Sequence, residues 1–191
     1  MSSIKGTQTE KNLLAAFAGE SQARNRYNMS AKVAKKEGYE QIAAIFDQTA
    51  DHEKMHAKMF FSHLEGGTAE ITASYPAGGI GTTLENLKHA AAGEHEEHSA
   101  LYPSFAEVAD KEGFPKVAQQ FRWVSNAEKF HEERYNKLIE MVASQSVHKR
   151  EEKTPWMCRV CGFIHEGTVP PEKCPNCNHP KGHFEKLNLD F

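Results

Sequence analysis

The chain has 191 residues and a net charge of −3 at neutral pH, enough for one medium domain with a sizeable core plus a small appendage. With no basic stripe, nucleic acid is not an expected partner. With no run of about 18 apolar residues, no membrane span is expected either.

The N-terminal stretch MSSIKGTQTEKNLLAAFAGE lacks the unbroken apolar core of a signal peptide, so a cytoplasmic protein with reduced thiols is expected. Thr7 and Glu10 stand at capping-box spacing and open a first helix, which Gly38 stops. A second helix runs from about Tyr39 to Glu65 and ends at Gly66 and Gly67. GGTAEITASYPAGGIG follows with no helical pattern. Thr82 and Glu85 repeat the capping-box spacing and open a third helix, which Gly113 closes; Pro115 fits the first turn of a fourth, reaching about Ser144. The two outer connections are short and make antiparallel neighbours, whereas the central one is long enough to cross. This is the connectivity of a ferritin-like four-helix bundle with one crossover. The predicted organisation is therefore a mainly α bundle over residues 1–146, a charged linker over 147–154, and a small domain over 155–191. That small domain is rich in Pro and Gly, with short β-strands and two metal-binding knuckles.

The bundle contains an internal repeat. AKKEGYEQIAAIFDQTADHEKMH from Ala34 aligns without gaps on ADKEGFPKVAQQFRWVSNAEKFH from Ala109, an offset of 75. Upstream, AFAGE ending at Glu20 matches AAAGE ending at Glu94, an offset of 74. One helical hairpin is used twice, and a site built by both should have roughly twofold chemistry.

Steps of three and four place side chains on one helix face. The fourth helix carries Val117, Phe121, Val124, Glu128, His131, Tyr135 and Leu138 on such a face; the second carries Ile42, Phe46, Thr49, Glu53, His56 and Phe60. The first gives Leu13, Phe17, Glu20, Arg24 and Tyr27, and the third gives Leu84, Leu87, Ala91, Glu94 and Leu101. Each apolar face is thus interrupted by a glutamate near mid-length. Four buried carboxylates at one level need cations. Glu-x-x-His twice, with one inward Glu on each remaining helix, is the donor pattern of di-iron and di-manganese carboxylate bundles. Oxygen with imidazole suits iron or manganese. Glu53 and Glu128, each one turn from a histidine, are the expected bridges, with Glu20 and Glu94 terminal. Tyr27 and Tyr102 are either core aromatics or donors of a hydrogen bond to a ligand carboxylate. Beyond Glu94, wheel arithmetic sets His95 and Glu96 in solvent but does not choose between Glu97 and His98.

Cys158, Cys161, Cys174 and Cys177 form two Cys-x-x-Cys pairs twelve residues apart. Four thiolates at this spacing make a tetrahedral site for zinc or one iron. Trp156, Gly162, Phe163 and Pro175 resemble the rubredoxin pattern Cys-x-x-Cys-Gly-Tyr and Cys-Pro-x-Cys-Gly, with Phe163 for Tyr and Asn178 for the final Gly. Asn tolerates the left-handed turn required there.

A twice-used Glu-x-x-His bundle followed by a rubredoxin-like domain resembles the rubrerythrin family over essentially the whole chain. The resemblance implies a non-haem peroxidase that reduces hydrogen peroxide to water at a di-iron centre. Electrons would come through the mononuclear cysteine-held iron from an NAD(P)H-dependent reductase or a rubredoxin. It implies a homodimer with electron transfer between subunits, and it assigns Glu20, Glu53, His56, Glu94, Glu97, Glu128 and His131 to the iron pair. Glu97, whose repeat mate is Ala23, enters the ligand set only through this resemblance. His56 and Glu97 would exchange at one iron with its redox state. The rival readings are a ferritin-like ferroxidase, an oxygen-reducing oxidase, and a bundle carrying a structural zinc ribbon.

Overall fold

The computed structural model describes residues 3–189, so residues 1–2 of the first predicted domain and 190–191 of the last lie outside it. Helices α1 (Gln8–Lys36) and α2 (Glu40–Phe61) form one hairpin. The other comprises α3 (Thr83–Glu96), a π-helical turn (Glu97–Leu101), α4 (Tyr102–Lys111) and α5 (Pro115–Ala143). The third predicted helix is therefore interrupted by a π turn between α3 and α4.

Local signals account for the ends. At Gly38 the Tyr39 and Gly38 amides donate to the carbonyls of Ala34 (2.8 Å) and Lys35 (3.1 Å); at Gly113 the Phe114 and Gly113 amides donate to Ala109 (2.8 Å) and Asp110 (3.1 Å). Both glycines have positive φ, +80° and +85°, as this αL helix stop requires. Thr82 and Glu85 form a reciprocal capping box. At Thr7 the box is only half made, because Glu10 accepts from the Gly6 amide (2.7 Å) while the Thr7 amide donates to Ile4. The second helix stops at Phe61, short of the expected Glu65. Glu65 instead accepts from Ser3 Oγ (2.6 Å) and the Ile4 amide (3.2 Å), tying down the chain start.

The predicted stripes of α2 and α5 are buried residue for residue. On α1 the stripe corrects at Arg24, which is exposed while Ala23 is buried; a guanidinium stays in water and the small side chain faces inward. The core falls into two apolar clusters. One gathers Tyr27, Ile42, Phe46, Leu87 and Tyr135; the other gathers Leu13, Phe60, Tyr102, Phe121 and Val124. The inward carboxylates lie between them.

The C-terminal unit is a three-stranded antiparallel sheet in the order β2 (Ile164–Gly167), β1 (Thr154–Cys158), β3 (Phe184–Lys186). Among the described residues Trp156 and Phe184 are its fully buried aromatics, and Trp156 Nε1 donates to the Gly167 carbonyl (2.9 Å). This unit rests on the α1–α2 turn. A Cβ at Gly182 would overlap the Gly38 carbonyl, His183 Nε2 lies 3.6 Å from Glu40 Oε1, and His148 stacks on Tyr39. Val147 is buried in the first bundle cluster.

Candidate metal centres

The bundle places Glu20 from α1, Glu53 and His56 from α2, Glu94 from α3, and Glu128 and His131 from α5 at one level, all buried. Their donor atoms fall into two overlapping groups: Glu20, Glu53, His56 and Glu128, and Glu53, Glu94, Glu128 and His131. Only Glu53 and Glu128 belong to both, as bridging ligands must. His56 Nδ1 lies 2.9 Å from Glu53 and 2.8 Å from Glu128; His131 Nδ1 lies 3.3 Å from Glu53, 2.8 Å from Glu128 and 3.6 Å from Glu94.

The orphaned polar atoms point to cations. Glu20 Oε2, Glu53 Oε1, Glu94 Oε2, both Glu128 oxygens and His131 Nδ1 are buried without a well-aligned hydrogen bond, although all but the Glu20 oxygen take part in the ion pairs with His56 and His131. Buried polar atoms are nearly always paired by aligned hydrogen bonds, and here six that are not lie together at one level of the bundle. Protonation equilibria of the donors agree. Burial, with Glu128, Glu97 and Glu53 adding repulsion, pushes Glu20 well above the carboxylate range; burial, then Glu53, raises Glu94 to about 8. Burial opposes charge on both histidines, yet the Glu128 and Glu53 carboxylates outweigh it and hold His56 up to about 10 and His131 to about 12. For Glu53 burial is likewise outweighed, by its bonds to the two histidines, and it falls to about 2. Without metal, protons do the work of cations. Metal must displace them, so ferrous ion added to apoprotein at neutral pH is expected to release at least about two protons per dinuclear site. Its apparent affinity should climb as pH rises. Potentiometry in weak buffer reads this directly, and a release below one proton would contradict the assignment.

The tyrosines resolve as hydrogen-bond donors, in a crossed pattern. Tyr27 on α1 donates to Glu94 Oε1 on α3 (2.5 Å), and Tyr102, at the head of α4, donates to Glu20 Oε1 on α1. Burial first, then the carboxylate each one faces, pushes both phenols well up, so they remain donors. Because such partners fix the orientation and basicity of ligands, Tyr102→Phe and Tyr27→Phe are each expected to weaken ferrous binding about 10–100-fold. A chelator competition titration measures this, and parental affinity in both variants would rule the role out.

Tyr102, and not Leu101, takes the buried place because of the π turn. In a regular helix, seven residues after Glu94 would bring Leu101 inward, matching Tyr27 after Glu20. Leu101 is only half-buried, and Tyr102 is fully buried. One extra residue has been absorbed between Glu94 and Tyr102, where the repeat offset slips from 74 to 75. The wide turn Glu97–Leu101 accommodates it, and such turns concentrate at functional sites.

This turn also separates Glu97 from His98. His98 Nε2 pairs with Glu132 (2.5 Å), away from the centre. The Glu97 carboxyl lies outside both four-residue groups, but its pKa is pushed well up by burial, then by Glu94, Glu128 and Glu53. It borders a cavity of about 950 Å³ that also reaches Gly19, Arg26, Tyr75 and Tyr102. His95 and Glu96 are exposed, as expected. One partner escaped the sequence reading: His52, whose Nδ1 lies 3.0 Å from His131 Nε2 and leaves Nδ1 of His131 to face the pocket. Its repeat mate is Ala127, so neither symmetry nor periodicity marks it.

In the small domain the four sulfurs cluster, with Cys158–Cys177 at 3.7 Å and Cys161–Cys174 at 3.6 Å. The two knuckles are near copies. The Gly162 amide donates to Cys158 O (2.9 Å) and the Asn178 amide to Cys174 O (2.8 Å), with φ of +73° at Gly162 and +60° at Asn178. The Phe163 amide and then the Asn176 side chain lower the Cys161 thiol to about 6, while at Cys177 the His179 amide is outweighed by burial and the other three thiols, which push it up to about 12; without metal one thiolate is favoured and another held as the thiol.

The family profile described as Rubrerythrin matches residues 11–139, and that described as Rubrerythrin, rubredoxin-like domain matches 156–185. The chain is 56% identical over 189 residues to the rubrerythrin of Porphyromonas gingivalis, covering 99% of this chain and 94% of that one. It is 52% identical to the rubrerythrin of Nitratidesulfovibrio vulgaris, covering all of both. A solved structure of nigerythrin in its fully reduced, all-ferrous state aligns with a TM-score of 0.64 at 33% identity, over 97% of this chain and 92% of that one.

Proposed function

The chain belongs to the rubrerythrin family, and from that premise we propose that it is a cytoplasmic peroxidase that reduces hydrogen peroxide to water. The observation that carries this reading is the pairing, in one chain, of a carboxylate and histidine centre for two metal ions with a four-thiolate centre for one. The residues fit iron at both: hard oxygen and imidazole donors in the bundle, thiolates in the small domain. Glu20, Glu53, His56, Glu94, Glu97, Glu128 and His131 would serve the iron pair, and Cys158, Cys161, Cys174 and Cys177 the single iron.

The reaction, H2O2 with two protons and two electrons giving two waters, needs an electron pair and protons in a site shielded from side reactions. Iron held by the bundle carboxylates and histidines would supply two electrons together, and iron held by the four cysteines would restore them singly. The protein supplies the rest. Glu53 and Glu128 hold the two positions together, and Tyr27 and Tyr102 orient the terminal carboxylates. Glu97, half-buried and bordering the cavity, would hold a proton where a small oxidant arrives.

The small domain meets its own bundle at Gly38 and Glu40, thirteen residues before Glu53 on α2, which is about 20 Å along a helix. That separation supports delivery from a second subunit, as in a homodimer in which each small domain serves its partner's iron pair. A separate NAD(P)H-dependent reductase or rubredoxin would supply the electrons. Mixing the fully reduced protein with peroxide and with oxygen in separate stopped-flow experiments tests the reading. Oxidation by peroxide is expected to be much the faster, and a faster reaction with oxygen would favour an oxidase or ferroxidase.

A further inference from the structure

Beside the dinuclear pocket, the surface carries a second set of donors unconnected with it. We infer that His95, His98 and Glu132 form an outer site for one divalent transition-metal ion. The three donor atoms lie within 4.8 Å of one another, and the set shares no residue with either bundle group.

The geometry is close to a coordination shell. Tetrahedral zinc with bonds of about 2.0–2.1 Å places neighbouring donors about 3.3 Å apart. His95 Nδ1 lies 3.2 Å from Glu132 Oε1, already at that spacing. His98 Nε2 lies 2.5 Å from the other oxygen, Glu132 Oε2, so the carboxylate must turn to present one oxygen to an ion shared by both imidazoles, and the His98 contact must lengthen by less than an ångström. Two elements fix the donors: the histidines, three residues apart, straddle the junction of α3 with the π turn, and Glu132 projects from α5. Asn136 Nδ2 contacts Glu132 Oε1 (3.4 Å), and the His98 carbonyl accepts from Ser125 Oγ (3.1 Å). The side chains of His98 and Glu132 are only 16% and 21% exposed, whereas His95 is 61% exposed. The site is thus fixed on its inner side and open to entry on its outer side.

Two imidazoles and one carboxylate select zinc, cobalt(II) or ferrous ion over calcium or magnesium, and three protein donors leave a position for water. The set is not a by-product of the repeat, since the mates of His95, His98 and Glu132 are Ser21, Arg24 and Ala57. Nor does it depend on the redox reading, because it requires no electron transfer.

The test titrates zinc into the iron-loaded protein by calorimetry, with iron content measured before and after. Anomalous diffraction at the zinc edge then locates the ion. One zinc per chain is expected among His95, His98 and Glu132 with iron retained, and His98→Ala is expected to weaken it more than about tenfold. If His98→Ala disturbs iron loading, His95→Ala, mostly in solvent, carries the same expectation. Zinc that binds only as iron leaves, or binds these variants as tightly as the parent, would overturn the inference.

Discussion

Glu128→Ala is expected to lose the bundle's iron and its reaction with peroxide while the cysteine-held iron remains in place. Glu128 is fully buried on α5 and belongs to both donor groups. It lies 2.8 Å from each histidine. Losing an outer hydrogen-bonding partner of a ligand costs about 10–100-fold in affinity, so losing a ligand shared by both positions should cost more than about 100-fold. Alanine is the best helix former, and the capping and stop signals of α5 lie more than ten residues away at Pro115 and Ala143, so the helix itself should persist. Iron analysis with visible spectroscopy separates the two centres. Retention of the iron pair, with peroxide reactivity within tenfold of the parent, would show that Glu128 does not bridge.

Cys174→Ala should do the converse. Cys174 is buried, and its sulfur lies 3.6 Å from that of Cys161; three thiolates cannot close the four-coordinate shell that a structural site requires. The knuckle's hydrogen bonds, Asn178 amide to Cys174 O and Cys174 amide to His179 O, are backbone bonds and survive the change. The bundle should therefore load iron normally and, once chemically reduced, react with one equivalent of peroxide at the parental rate. Sustained turnover with a reductase should fall by more than about 100-fold, the loss expected if the proposed relay is removed and ΔG‡ rises by at least about 2.7 kcal/mol. Sustained turnover at the parental rate would mean that electrons enter the bundle by another route.

Much of this molecule was legible in its sequence. The two α2 and α5 stripes, the αL stops at Gly38 and Gly113, and the six donors on four helices follow from period, caps and repeat, because a buried helix face admits few other arrangements. Asn178 was readable as a left-handed turn for the same kind of reason. What escaped was whatever departs from a fixed 100° per residue. The π turn makes the wheel fail after Glu96, which is why Leu101 looked inward, while Glu97 and His98 could not be told apart because three and four steps of about 100° fall on either side of Glu94. Arg24 escaped because periodicity marks a face and not its edges. His52 escaped because its role depends on a neighbour 79 positions away, to which no local pattern refers. The slip in offset from 74 to 75 was visible throughout, and it locates the inserted residue between Glu94 and Tyr102.

That slip also suggests a history. Duplication of a two-helix gene segment produces the matched hairpins, and a single-codon insertion afterwards is sufficient to produce their difference. Its effect is confined to one turn: Glu94 before it still answers Glu20, and Tyr102 after it still answers Tyr27. A substitution could have altered only the side chain at its own position. An added codon instead displaced one turn outward, where a carboxylate and imidazoles stand opposite Ala23, Ser21 and Arg24 in the other hairpin. Novelty was gained without loss of the inherited donors.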